Sequence, residues 1–254
     1  MKVGLIGAGN MARALALGWN EPVYVSDVFA ERAQALAAET GGEALASNAE
    51  VAERSDLIVL CHKPPQLEAV AEGIGDRAKA VASILAGAAL ADLRAAYPDT
   101  PVYRFIPSVA VEVRVGALGY AKQDLTGEAA ELEPRVREQF GRLGTIVELP
   151  EGLMDVATGL MSSSPALFAV VAEAFIDAGI RHGMPHDLSS QLVVEALAGT
   201  AALLQAHDHD TLDLRRSVTS PGGVTASALA ALDRSGTRAA LHDALDAALE
   251  TRVR

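Results

Sequence analysis

One short stretch limits the possible fold more than any other. Gly7-Ala8-Gly9-Asn10-Met11-Ala12 lies between the apolar run Lys2–Ile6 and an apolar helical pattern, Met11–Trp19. Two glycines and a small residue at this spacing do separate jobs: Gly7 permits a tight turn, Gly9 lets a ligand approach the backbone, and Ala12 lets helix and strand pack closely. The helix start presents unpaired N–H groups and the positive end of the helix dipole, a natural seat for a pyrophosphate. Asp27 ends the next strand, at the spacing where a carboxylate meets the ribose hydroxyls of a dinucleotide. A glycine turn alone is a weak signal. With a strand before it, a helix after it and an acid at that distance, it predicts a dinucleotide site built on Gly7, Gly9, Asn10, Met11 and Asp27.

The surrounding pattern agrees. Val23–Val25, Leu57–Leu60, Ala80–Leu85 and Val102–Ile106 read with Lys2–Ile6 as buried parallel strands. Ala30–Thr40, Ala49–Arg54, Leu67–Ile74 and Leu90–Ala96 read as the helices between them. Strand–helix alternation predicts a doubly wound, mainly parallel Rossmann-type sheet with right-handed crossovers. Ala117–Ala121 and Thr145–Leu149 are expected as edge strands, joined by a charged helix, Gly127–Arg142. The acidic positions of Glu128–Glu138 read as its exposed face.

After Pro150 strand patterns give way to Ala/Leu helices: Pro165–His182, Pro185–Ala206, Thr225–Leu232 and Thr237–Arg252. The expected division is therefore a dinucleotide domain, 1–150, and an all-helical domain, 151–254. Pro165 and Pro185 stand where proline suits a first helical turn, and Gly179 and Gly183 mark the fraying end of the first long helix. That helix is apolar around most of its circumference, so nearly every side must be covered. A dimer interface is the preferred cover, and a fully internal core helix is the other reading.

A formal net charge of −12 argues against a nucleic-acid partner, which needs clustered Lys and Arg. It also means that an anionic ligand must be held by backbone N–H groups or a few placed cations. The single cysteine, Cys61, excludes an internal disulfide framework. Met1-Lys2 leads straight into a strand pattern without the regions of a signal peptide, and the apolar runs break before the length of a membrane span. The expectation is a cytoplasmic protein with no membrane partner.

Beyond single motifs, the chain resembles the pyrroline-5-carboxylate reductase family along essentially its whole length. The likeness begins with Gly4-Leu-Ile-Gly-Ala-Gly-Asn-Met-Ala12 and continues through Ser47-Asn48, Asp56-Leu-Ile-Val-Leu60 and Lys63-Pro64. Ser83-Ile-Leu-Ala-Gly87 and Val102-Tyr-Arg-Phe-Ile-Pro107 follow, and Ser162-Ser-Ser-Pro-Ala166 resembles the family's Gly-Ser-Gly-Pro-Ala. Thr219-Ser-Pro-Gly-Gly-Val-Thr225 resembles the family's substrate loop, and Gly236-Thr-Arg-Ala-Ala-Leu241 is also family-like. The resemblance implies hydride transfer from NAD(P)H to the C=N carbon of a cyclic imine carboxylate, giving proline. It implies that Asn48, Lys63 and Pro64 line the cofactor site. Ser220, Gly222, Gly223 and Val224 would hold the substrate carboxylate, with Thr225 facing the imine nitrogen as the catalytic hydroxyl. It further implies a homodimer through the C-terminal helices, which in many members assembles further.

Three segments depart from the family pattern. Ser26-Asp27-Val28 replaces Ser-Asn-Arg; losing the Arg, together with the Asp27 carboxylate, leans the expected cofactor to NADH, with Arg32 the residue that would restore phosphate binding. Ile106-Pro-Ser-Val-Ala110 replaces Met-Pro-Asn-Thr-Pro, so Ser108 is expected to alter hydrogen bonding near the reaction site. Ser162 and Ser164 replace two glycines, narrowing the approach or altering a turn. Competing readings are a diverged member that binds NAD(P) as a regulator and one that reduces a different cyclic imine. A β-hydroxyacid-type dehydrogenase would need a lysine in the second domain, and no lysine follows Lys122.

Other candidate residues read more plainly. Cys61 is expected to pack, with His62 contacting cofactor or solvent. His207-Asp-His-Asp210 is a solvated loop rather than a metal site, His182 and His186 flank a helix–helix turn, and Glu173 with Asp177 form a polar stripe.

Overall fold

The computed structural model describes residues 1–250. It divides into two compact units, Met1–Ser163 and a second that begins at Ser164.

The first unit is an eight-stranded sheet wrapped by helices. Strands β1 (Val3–Ile6), β2 (Tyr24–Ser26), β3 (Glu43–Ala44), β4 (Leu57–Leu60), β5 (Val81–Ser83) and β6 (Val102–Pro107) are mutually parallel in the order β3-β2-β1-β4-β5-β6. This is the doubly wound dinucleotide order, and its direction reverses between β1 and β4. Strand β7 (Gly116–Ala121) then pairs antiparallel with β6, and β8 (Gly144–Leu149) pairs parallel with β7. Two details differ from expectation. Strand β3 is too short, at two residues, to show any alternation. Ala117–Ala121, expected at an edge, lies inside the sheet, and β8 forms that edge instead.

Every residue of β1 and of β4 is buried, as strands covered on both faces require. Their side chains alternate between two cores: Leu5, Leu57 and Val59 pack on one face, and Ile6, Ile58 and Leu60 on the other. Helices α1 (Asn10–Trp19), α2 (Ala30–Thr40), α3 (Asn48–Arg54), α4 (Leu67–Ile74) and α5 (Leu90–Ala96) connect the parallel strands, and α6 (Gly127–Gly141) connects β7 to β8. Trp19 closes one core from α1, its ring edge-on to Phe140 at 5.7 Å and its indole N–H donating to the Gln139 carbonyl. This burial supplies the stability that holds the loops at the carboxyl ends of the strands.

Past β8 a short helix, α7 (Met154–Thr158), runs through a widened π-turn, Gly159–Ser163, into α8 (Ser164–Arg181). The sequence reading starts this helix at Pro165. Instead helix precedes it, and the π-turn sits just before the proline, which has no N–H for the regular ladder. The helical run Glu151–Arg181 is, by length and composition, apolar enough to cross a membrane, which overturns the expectation that apolar runs stop short of that length.

The second unit comprises α8, α9 (His186–Ala206), α10 (Thr211–Ser217), α11 (Val224–Arg234) and α12 (Thr237–Glu250). Helix α10 was not foreseen; its N-cap is Asp210, whose carboxylate accepts from Leu212 and Asp213 N–H. Thr251 and Arg252, expected to end the last helix, lie outside the described residues. Helix α8 ends between Gly179 and Gly183, and Gly179 has a packing role as well. A Cβ there would stand 2.3 Å from Ser189 Oγ, so the glycine allows α8 and α9 to touch.

Candidate functional site

A cleft of about 240 Å³ opens beside the glycine turn, and Gly7, Gly9, Asp27, Asn48 and Lys63 all line it. Its walls are the carboxyl ends of β1, β2 and β4, the place where an open α/β sheet binds ligands. Asn10 and Met11 are the first residues of α1, Asn10 exposed and Met11 packed on the core. Pro64 opens a 3₁₀ turn, Pro64–Gln66, and lines an adjoining cavity of about 450 Å³ with Gly87 and Asp92.

The two glycines of the turn differ physically. Gly7 has φ +104°, and a Cβ there would lie 2.9 Å from the Cys61 carbonyl, so conformation and packing both demand glycine. Its N–H donates to the Ser26 carbonyl at 2.8 Å, fixing β1 against β2. Gly9 has an ordinary φ of −77°, and a Cβ there would meet nothing within 4 Å. Open space over Gly9 at the start of α1 fits a diphosphate lying on the backbone.

Asp27 also makes backbone contacts that its place at the end of β2 does not reveal. Its Oδ2 accepts from Ala8 N–H at 2.7 Å and its Oδ1 from Phe29 N–H at 2.9 Å. Ser26 Oγ donates to Asn48 Oδ1 at 2.7 Å, setting the Asn48 amide at the cleft wall. Arg32 also lines the cleft, its guanidinium 4.5 Å from the Phe29 ring centroid. After β4, His62 Nδ1 lies 2.9 Å from the Lys63 carbonyl. A carbonyl only accepts, so Nδ1 carries the proton. Burial lowers the His62 pKa, partly offset by that hydrogen bond. Burial raises the Cys61 thiol well above its ordinary value, which makes it a packing group rather than a nucleophile.

Ser26, Phe29, Gln66 and Val70 line the cleft too and were not singled out from sequence. A signal for them existed. Ser26 and Phe29 flank Asp27 at a strand end, and Gln66 and Val70 follow Lys63 by three and seven residues, the spacing of one helical face.

The departures Ser108 and Ser162 are structural stitches. Ser108 is buried; its N–H donates to the Ala117 carbonyl and its Oγ accepts from Ala117 N–H, closing the β6–β7 connection. Ser162 Oγ donates to the Pro107 carbonyl at 3.1 Å, tying the π-turn to the end of β6.

The second candidate set lies in the second unit. Ser220, Gly222 and Gly223 form a turn in which Gly222 has φ +71° and Gly223 N–H donates to the Ser220 carbonyl at 3.0 Å. Gly223 is the N-cap of α11, Val224 is 89% exposed, and Thr225 follows in the first helical turn. A Cβ on Gly223 would stand 2.4 Å from Ser220 Oγ, so a larger residue there would displace the Ser220 side chain. In the His207–Asp210 loop Asp208 and His209 both have positive φ, and among the described residues no group of three or more His, Cys, Asp or Glu could hold a metal.

Comparison with known proteins fits both halves. Residues 151–253 match the model for pyrroline-5-carboxylate reductase dimerisation, and residues 2–87 match that for NADP oxidoreductase, coenzyme F420-dependent. The pyrroline-5-carboxylate reductase of Thermus thermophilus is 34% identical over 260 residues, covering 98% of this chain and 96% of its own length. Among solved structures, the Streptococcus pyogenes 1-pyrroline-5-carboxylate reductase superposes with a TM-score of 0.88 at 26% identity, covering 99% of this chain and 98% of that one. The Plasmodium falciparum pyrroline carboxylate reductase, solved with NADP bound, gives 0.86 at 26% identity over 99% and 97% of the two chains. With a parallel sheet ending at a glycine-lined cleft, a helical second unit and this end-to-end likeness, the chain belongs to the pyrroline-5-carboxylate reductase family.

Proposed function

We propose that this chain reduces the C=N bond of 1-pyrroline-5-carboxylate to L-proline with NAD(P)H, as a step of proline biosynthesis. The observation that carries the reading is the likeness, over 98% of the chain, to a protein named for that reaction. Bound reduced nicotinamide supplies the hydride. Binding and orientation fall to the chain's own residues.

Backbone N–H groups at Gly9, Asn10 and Met11 receive the diphosphate, with Gly7 shaping the turn and Asp27, Asn48, Lys63 and Pro64 around it. Ser220, Gly222, Gly223 and Val224 hold the substrate carboxylate at the start of α11, Gly223 closing the turn through its bond to Ser220 and the neighbouring N–H groups facing the anion, which answers the repulsion expected from a net charge of −12. The Thr225 hydroxyl orients the imine nitrogen and relays its proton, while the ring carbon takes the hydride. The division of labour follows the sequence boundaries, 1–150 for cofactor and 151–254 for substrate and dimerisation.

The functional unit is a homodimer through the C-terminal helices, able to assemble into a larger homo-oligomer. Phe168, Val170 and Phe175 of α8 are 63%, 61% and 57% exposed, and this apolar surface is assigned to a second copy rather than to a membrane. We place the enzyme in the cytoplasm, with no nucleic-acid partner.

The test is oxidation of NADPH and NADH by the purified protein with 1-pyrroline-5-carboxylate and other cyclic imine acids. Turnover with proline as product is expected, and Thr225→Ala should slow it roughly a hundredfold without abolishing it. Nucleotide binding without turnover of any imine would favour the regulatory reading instead.

A further inference from the structure

We propose that Arg32 is the residue that selects the 2′-phosphate of NADPH, and that Asp27 braces the glycine turn instead of selecting against that phosphate. The proposal rests on the dinucleotide reading of the cleft. A carboxylate at the end of the second strand ordinarily accepts the ribose hydroxyls and repels a phosphate there. Here both Asp27 oxygens already accept backbone N–H groups, from Ala8 at 2.7 Å and from Phe29 at 2.9 Å. Ala8 stands between Gly7 and Gly9, so this carboxylate ties the β1–α1 turn to the β2–α2 loop. Two amide donors also offset its charge where a phosphate would feel it.

Arg32 supplies the opposite charge. It lies at the start of α2, lines the same cleft as Asp27, and is held over the Phe29 ring at 4.5 Å. Among the described residues Arg32 makes no ion pair, whereas Arg13, Arg54, Arg77, Arg104, Arg137 and Arg142 each pair with a glutamate. Held over the ring and engaged in no ion pair among the described residues, the guanidinium keeps N–H donors for a ligand, and its planar fork matches a phosphate. The other charged group on the cleft wall is Lys63, across the cleft on the loop after β4, beside the His62 ring. Glu31, the acid nearest Arg32 in sequence, is exposed and does not line the cleft. The position left empty of cations by Val28 is thus served from one turn further into the helix.

The experiment titrates the purified full-length protein, as wild type, Arg32→Gln, Arg32→Lys and Asp27→Asn, with NADPH and with NADH, following nicotinamide fluorescence. Arg32→Gln should weaken NADPH about tenfold or more and NADH less than about threefold, with Arg32→Lys between. Asp27→Asn should weaken both nucleotides by a similar factor, leaving their ratio within about threefold of wild type. Equal loss of both nucleotides in Arg32→Gln, or no loss of NADPH, overturns the proposal. A rise of about tenfold in NADPH preference in Asp27→Asn overturns it too, by restoring the selecting role to the acid. Arg32 is exposed, so its variants will fold and decide the matter even if Asp27→Asn proves unstable. Binding is read without the imine, so failure to reduce 1-pyrroline-5-carboxylate leaves these outcomes intact. Wild-type protein that binds neither nucleotide would refute the dinucleotide reading, and this proposal with it.

Discussion

Trp19, Tyr103, Phe105 and Phe140 in the first unit are at most 1% exposed, while Phe168 and Phe175 in the second are 63% and 57% exposed. Among the described residues from Ser164 onward, Ser189 is the only buried one. The first unit folds its apolar residues between sheet and helices and closes its own core. The second has helices, caps and turns in place but almost nothing inside. Secondary structure and a core are therefore separable in this chain, and only the first unit contains both. On the homodimer proposed above, which the match of residues 151–253 to a dimerisation model supports, the missing core comes from another copy of the same helices.

The largest expected effect comes from charging that surface. In Phe168→Asp with Phe175→Asp, each change removes a large apolar contact worth several kcal/mol and puts a carboxylate in its place. Analytical ultracentrifugation should show monomers at concentrations where the wild type is a dimer, with loss of helical circular dichroism and of reductase activity. In the proposed dimer apolar burial drives association, so the wild-type melting temperature should rise with protein concentration. A double variant that stays dimeric and active would break the comparison, because α8 would then be covered in some other way.

A cut inside the first unit sharpens the contrast. Arg104 on β6 is nearly fully buried and pairs with Glu151, whose Oε1 also accepts from Leu90 N–H at the start of α5. One carboxylate thus joins strand, helix and the segment leading to α7. Arg104→Met leaves Glu151 without its cation, and with a third of the Glu151 side chain exposed the cost falls near the low end for a broken buried pair, about 3 kcal/mol. Denaturant titration should register this loss equally at low and high protein concentration. A strongly concentration-dependent loss would mean that the first unit, too, relies on a partner.

The same contrast explains what could be read from the sequence. Strands covered on both faces are continuous apolar runs, so β1 and β4 announce themselves, and the glycine turn follows from its place between β1 and α1. A two-residue strand such as β3 carries no periodicity, and α10 depends on the Asp210 cap more than on an apolar stripe. The all-round apolar character of α8 states that it must be covered but not by what. Around the site, residue type and spacing indicate Gly7, Gly9, Asn48 and Lys63. The use of Asp27 was hidden because its partners are backbone N–H groups, one of them 19 residues away. Backbone partners have no residue type to recognise. The partners of Ser108 and Ser162 were hidden for the same reason, since each hydroxyl bonds to main chain.

The smallest expected effect tests the first unit's independence at its edge. Asp56, just before β4, accepts from Lys2 N–H at 2.9 Å, just before β1, and its carboxyl is held below its ordinary pKa chiefly by that amide, with Lys79 adding to the effect and burial opposing it. A carboxyl whose pKa is lower folded than unfolded contributes stability that is complete above its unfolded value, about 4, and is lost as pH falls through the folded value. Asp56→Asn keeps a neutral acceptor and removes only the charge. With 38% of the side chain exposed, the loss near neutral pH should stay below about 1 kcal/mol. Once the pH is below the folded value, the variant and the wild type should converge, because both then carry an uncharged group at this position. Urea melts at the two pH values give the sign directly. A gap that widened in acid would mean that the Lys2 amide does not favour the ionised form, and that the tie between the starts of β1 and β4 is made by packing alone.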